Sequence, residues 1–118
     1  MLNKSTTIDR VFAALADPTR RSIVSRLSRG PASVSEIAAP LKMSLAAVVQ
    51  HIQILEHSTV ISTRKQGRIR TCRIEPSTLA SAEEWLKDRR SMWESQFDLL
   101  GEVLRQEKAA GRTGKDKS

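Results

Sequence analysis

Residues 33–57, SVSEIAAPLKMSLAAVVQHIQILEH, decide the fold. Ser33 and Glu36 stand at the spacing of a capping box, in which the Ser hydroxyl and the Glu carboxylate three residues on satisfy each other's free backbone donors. A short helix starts there. Val34, Ile37, Ala38 and Leu41 share one of its faces, and Pro40 limits it to about two turns. Lys42-Met43-Ser44 makes a tight corner, and Ser44 is a good cap for a following helix through about His57. Val48, Ile52 and Leu55 fall at i, i+4 and i+7 of that helix and give it a core face. Two short helices joined by a short turn form a helix-turn-helix pattern.

Upstream, Ser5 to Ala16 places Ile8, Val11, Phe12 and Leu15 at the spacing of an amphipathic helix. Asp17-Pro18 restarts the chain, because Asp caps free N–H groups and Pro at the first helical position gives up a donor that had no partner. That second helix runs to about Ser28 on a core face of Ile23, Val24 and Leu27, and Gly30-Pro31 ends it. Downstream, Val60 to Ile74 is rich in β-branched residues around Lys65-Gln66-Gly67-Arg68, which predicts a two-stranded wing with Gly in the turn. Glu75-Pro76-Ser77 then opens a long helix in which Leu79, Leu86, Trp93 and Leu100 recur every seven residues, with Phe97 and Leu104 on the adjoining edge. At 1.5 Å per residue, about 28 residues span on the order of 40 Å, more than one small core covers. Part of this stripe is expected to meet another chain. From Lys108 onward, KAAGRTGKDKS has no aliphatic residue beyond Ala and carries four basic residues against one acid, the composition of a disordered tail. The expected organisation is therefore mainly α: a winged helix-turn-helix with a long C-terminal dimerisation helix over residues 1–107, and a basic tail over 108–118.

Composition narrows the function. The 118 residues carry 20 Lys+Arg against 13 Asp+Glu, a net charge of +7, which favours polyanionic partners. No run of about 18 apolar residues exists to span a bilayer, and Met1 to Arg10 lacks the apolar stretch and cleavage site of a secretory signal. A cytoplasmic protein without a membrane partner is expected. The single cysteine, Cys72, has no partner for an internal disulfide.

Charge acquires meaning from its position. On the fourth helix Ala46, Val49, Gln50 and Gln53 share the outward side, where Gln can bond an adenine edge bidentately and Ala or Val can touch a thymine methyl in a major groove. Ser44, at the helix start, lies where a phosphate oxygen could accept free N–H groups. An exposed helix with no nucleic-acid role has the same pattern. The wing adds Arg64, Lys65, Arg68, Arg70 and Arg73 with no acid between Ser62 and Ile74. Arg64, Lys65, Arg68 and Arg70 are the candidate phosphate contacts, the alternative being a solvated basic edge that blocks aggregation.

The order of elements and the wording FAALADPTRR (12–21), VSEIA (34–38), Met43-Ser44 through HIQILE (51–56) and KQGR (65–68) resemble the ArsR family of winged-helix repressors over about residues 8–104. None of these segments is specific alone. The resemblance implies a sequence-specific regulator of double-stranded DNA, a homodimeric repressor. Its first and last helices would pack across the twofold through Phe12, Leu86, Trp93, Phe97, Leu100 and Leu104. Its two fourth helices would enter successive major grooves of an imperfect palindrome, with half-sites roughly 34 Å apart. The final helix is similar to the branch often encoded beside lipid-binding-fold or other small proteins rather than to the metal-sensing branch. Two positions depart from the family pattern. Thr59 stands where Gly is usual after the fourth helix, and Val49 where a polar residue is common.

Metal sensing at the family's third-helix site needs a cysteine pair that this third helix lacks, and no His follows position 57. His51 and His57, six apart, point about 120° away from each other. No metal or other cofactor is expected. Cys72 is either a redox thiol lowered by Arg70 and Arg73 or a small core hydrophobe. No Gly-rich phosphate loop and no Ser/His/Asp set is visible, so no enzyme is expected. A small-molecule effector and constitutive DNA binding are equally consistent with the sequence. A partner-recruiting module that has lost DNA binding is the remaining alternative, and the cations kept on the wing count against it.

Overall fold

A computed structural model describes the backbone of residues 4–115 and the side chains of residues 7–110. The elements run α1 (Lys4–Leu15), α2 (Pro18–Leu27), β1 (Ala32–Ser33), α3 (Val34–Ala38), α4 (Leu45–His57), β2 (Ile61–Gln66), β3 (Ile69–Ile74) and α5 (Pro76–Lys115). The chain divides into two units, with the boundary after Ala82.

The first unit is the winged helix-turn-helix. Its core takes Ile8 and Val11 from α1, Ile23 and Leu27 from α2, Ile37 from α3, and Val48, Ile52 and Leu55 from α4. Each fully buried aliphatic side chain contributes roughly 1.5–3 kcal/mol of hydrophobic stabilisation. Phe12 and Leu15 of α1, expected on the core face, are half-buried, and Ala14 is buried instead. The helix turns its small residue inward, toward close neighbours, and leaves the ring at the margin.

The wing is the expected two-stranded hairpin, and a third, two-residue strand extends its sheet. β2 and β3 pair antiparallel from Ile61↔Ile74 to Gln66↔Ile69, and β1 adds to the other edge of β3 through Ala32↔Cys72 and Ser33↔Thr71. The order β1-β3-β2 makes β3 central. Two residues carry no periodicity, so β1 leaves no trace in the sequence pattern. Gly67, at φ 62°, occupies the first of two turn residues, a conformation that costs Gly nothing.

α4 ends in a Schellman motif. The Val60 N–H reaches the Leu55 carbonyl at 3.0 Å and the Thr59 N–H reaches that of Glu56 at 3.0 Å. Val60 and Leu55, the hydrophobic pair of the motif, are both fully buried. Thr59 takes the left-handed position at φ 62°, the sole non-glycine residue there among those described.

α5 is 40 residues long, about 60 Å at 1.5 Å per residue. It passes the break expected at residue 108 and continues to Lys115, while residues 116–118 of the expected tail lie outside the described residues. Extending an existing helix adds one hydrogen bond per residue without a new nucleus, and Ala109-Ala110 favour it, so a polar composition alone does not stop it. In the second unit Leu86, Trp93, Phe97, Leu100 and Leu104 are 46–69% exposed in the single chain. No helix among the described residues is long and apolar enough to cross a membrane.

Candidate nucleic-acid interface

The helix-turn-helix is held by local capping. Ser33 Oγ accepts the Glu36 N–H at 3.1 Å while Glu36 Oε1 accepts the Ser33 N–H at 2.9 Å, the reciprocal pair read from the sequence. The Ser33 backbone N–H, followed by its hydroxyl, holds the Glu36 carboxyl below its ordinary value. Ser44 Oγ accepts the Ala47 N–H at 3.1 Å and fixes the start of α4. With Val48, Ile52 and Leu55 committed to the core, Ala46, Gln50 and Gln53 are exposed together, and Val49 lies half-buried at the margin of their face. Leu45 and Ile54, 58% and 43% exposed, flank it. Neither was singled out from the sequence, because an apolar residue beside a core face carries no signal of its own exposure.

The corner between α1 and α2 meets α4 chiefly through Arg20. Asp17 Oδ2 accepts the Arg20 N–H at 3.0 Å, which caps α2 and is the main cause of a lowered Asp17 pKa. The Arg20 guanidinium then closes back on the end of α1, Nε donating to the Ala14 carbonyl at 2.6 Å and a terminal nitrogen to that of Ala13 at 3.4 Å. Its other terminal nitrogen lies 3.2 Å from His51 Nδ1 on α4. Arg21 adds bonds to the carbonyls of Leu15 and Ala16 at 2.9 and 2.8 Å. The carbonyls at the end of a helix have no partners within it, and a cation is favoured there. The Asp-Pro-Thr-Arg-Arg segment is thus a cap at both ends of the corner.

The strand register divides the wing cations between two faces. Lys65 and Arg70 pair on the face that carries Cys72 and Thr63, whereas Arg64 and Arg73 lie on the opposite face with Ser62 and Thr71. Arg68 follows Gly67 in the turn. Arg70 donates to Thr63 Oγ1 at 2.7 Å, and Thr63 in turn donates to Glu56 Oε2 of α4 at 2.6 Å, a relay that fastens the wing to α4. Among the described residues the side chains of Arg64, Lys65 and Arg68 make no hydrogen bond or ion pair. Cys72 is fully buried in β3, and burial pushes its thiol up, against thiolate reactivity.

Comparison with known proteins places this geometry. Residues 15–64 match a family described as a helix-turn-helix domain. The crystal structure of an ArsR family transcriptional regulator superposes with a TM-score of 0.74 at 48% identity, covering 80% of this chain and 98% of that one. The chain belongs to the ArsR family. It is a helix-turn-helix, DNA-binding transcriptional regulator. The HTH-type transcriptional regulator Rv2034 of Mycobacterium tuberculosis is 42% identical over 73 residues, 62% of this chain and 68% of that protein. The solution structure of a homodimeric winged helix-turn-helix DNA-binding domain from Mycobacterium bovis, described as a possible ArsR-family regulator, matches with a TM-score of 0.59 at 25% identity, over 74% of this chain and 82% of that one. Within this ArsR chain Arg73 is the wing cation left out of the expected site. Only strand pairing puts it beside Arg64 on one face.

Proposed function

We propose that this ArsR-family chain acts as a homodimeric repressor in the cytoplasm and recognises an imperfect palindromic operator in double-stranded DNA. The observation that carries it is the joint exposure of Ala46, Gln50 and Gln53 on α4, next to a wing whose Arg64, Lys65 and Arg68 side chains are unpaired among the described residues. In the proposed complex Gln50 and Gln53 read base edges, Ala46 and Val49 supply apolar groove contacts, and Arg64, Lys65, Arg68 and Arg70 hold phosphates. Ser44 would set the N-terminus of α4 against the backbone, where Leu45 and Ala46 keep free N–H groups.

Dimerisation is supported by the exposed stripe Leu86, Trp93, Phe97, Leu100 and Leu104, since monomers rarely leave so long an apolar face in water. Phe12 would join it from α1, as the resemblance implies. The homodimeric Mycobacterium bovis relative favours the same assembly. A dimer seated on a promoter represses by excluding polymerase. Neither a metal nor a catalytic step enters this proposal: α3 has no cysteine, and the one thiol is buried.

Selection of bound fragments from random duplex DNA, followed by a salt titration of the best site against unrelated DNA, tests the proposal. The expected result is a short imperfect palindrome with half-sites one helical turn apart and a strong preference over competitor. Binding that is salt-driven and indifferent to sequence would overturn it. A promoter fusion carrying the site should lose expression when the protein is present, and a gain would reverse the sign of regulation.

A further inference from the structure

Arg10, Ala13 and Ala14 of α1, Arg20 of α2, and Ile54, His57 and Ser58 at the end of α4 line an open cleft of about 320 Å³. That volume is at the small end of the range for ligand pockets, roughly 300–1,000 Å³. The wall is apolar. Ile54 is 43% exposed there, although its neighbours Ile52 and Leu55 are buried. The rim carries Arg10, Arg20 and His57, and no carboxylate among the described residues lines the cleft. The nearest capping acid, Asp17, is committed to the Arg20 N–H and lies 3.9 Å from His51 Nδ1. An apolar body with an anionic head complements such a site, and a neutral or cationic molecule does not.

Arg20 belongs to both the cleft and the link to α4. Its contact to the Ala13 carbonyl is long, at 3.4 Å, and both terminal nitrogens keep a further N–H. A carboxylate arriving at the rim would form charge-assisted bonds, roughly twice as strong as bonds to neutral acceptors. It would compete with the carbonyls of α1 and with His51 for the guanidinium.

We propose that the cleft between α1 and the last turns of α4 is an effector site for a small amphipathic carboxylate, seated on Ala13, Ala14 and Ile54 with its head at Arg10 and Arg20, and that the Arg20–His51 contact carries its binding to the DNA-reading helix. The proposal rests on α4 reading an operator. A ligand shifts an equilibrium only by its differential affinity for the two states, and the coupling is reciprocal. Operator DNA therefore weakens carboxylate binding by the factor by which carboxylate weakens operator binding.

The test uses the full chain with straight-chain carboxylates from butanoate to dodecanoate, benzoate and 1-naphthoate, and the matching alcohols as neutral controls. Calorimetry without DNA measures binding directly, and fluorescence anisotropy measures affinity for the selected operator. At least one carboxylate should bind, its alcohol should not, and operator affinity should fall about tenfold with the same factor in reverse. Arg10→Gln should weaken carboxylate binding about tenfold and leave unliganded operator binding unchanged. His51→Leu should keep carboxylate binding but lose the coupling, and His51→Asn, which restores an acceptor, should recover it. Operator binding without any carboxylate binding, or carboxylate binding indifferent to Arg10→Gln, overturns the effector site alone. If Ile54→Glu turns a dimer into a monomer in sedimentation, a second copy covers the cleft and the proposal falls. If the unliganded protein selects no operator, the operator reading of α4 fails, and calorimetry still decides the cleft.

Discussion

Thr59 holds a left-handed backbone at φ 62°, which for an L residue costs roughly 1–2 kcal/mol. Its hydroxyl offsets part of that cost by donating to the Ser58 carbonyl at 2.6 Å and accepting from Thr78 at 3.2 Å. Gly would relieve the strain but gives the unfolded chain more freedom. Thr59→Gly should therefore stabilise by on the order of 0.5–1 kcal/mol in urea unfolding, and a loss of stability would show that the hydroxyl bonds outweigh the strain. The departure at Thr59 was legible in the sequence as a residue out of pattern, but its φ was not. Gln50, by contrast, was readable from spacing alone, because Val48, Ile52 and Leu55 leave it nowhere to point but outward. Replacing Gln50 by Ala should relax specificity at one base pair at a cost of about 1–3 kcal/mol. An equal fall on every sequence would remove Gln50 from the readers.

At the scale of elements, the cap of α2 and the charges of the wing behave differently under titration. The Arg20 N–H and nearby cations lower the Asp17 pKa from its ordinary 3.8. The stability linked to that shift is fully present above pH 3.8 and lost as pH falls through the lower folded value. Asp17→Asn keeps a capping oxygen but cannot titrate, so its stability should depend less on pH over that acid range in unfolding curves, and unchanged dependence would place the acid lability elsewhere. On the wing, Arg68→Ala should weaken binding to all sequences and flatten the salt slope by about one unit. An unaltered slope would take Arg68 out of contact with phosphate. Arg70 is expected to behave less simply, because its bond to Thr63 also fixes the wing to Glu56 of α4. The hairpin was legible from its β-branched residues and its Gly. The split of its cations between two faces was not, because it depends on which residue pairs with which.

For the molecule as a whole, α5 presents an apolar stripe that the single chain leaves in water. Leu100, 51% exposed, lies within it. Leu100→Asp would bury a charge without a partner in the dimer, and should break self-association in sedimentation while leaving the helical content intact. A persistent dimer would move the interface away from Leu100. Operator affinity should fall with the dimer, since two half-sites bound together gain from the effective concentration of the second.

The sequence by itself determined the helices, their caps, the exposed face of α4 and the position of the hairpin turn. Each of these is set by neighbours within about one helical turn or one strand pair, where spacing and side-chain chemistry suffice. Only the tertiary structure decided the third strand, the two faces of the wing and the bridge from Arg20 to His51, residues 31 apart in the chain. These depend on pairings between distant segments, which local propensity does not encode. The length of α5 was also decided by context, because propagation from an established helix carries a polar segment that composition alone would leave unfolded.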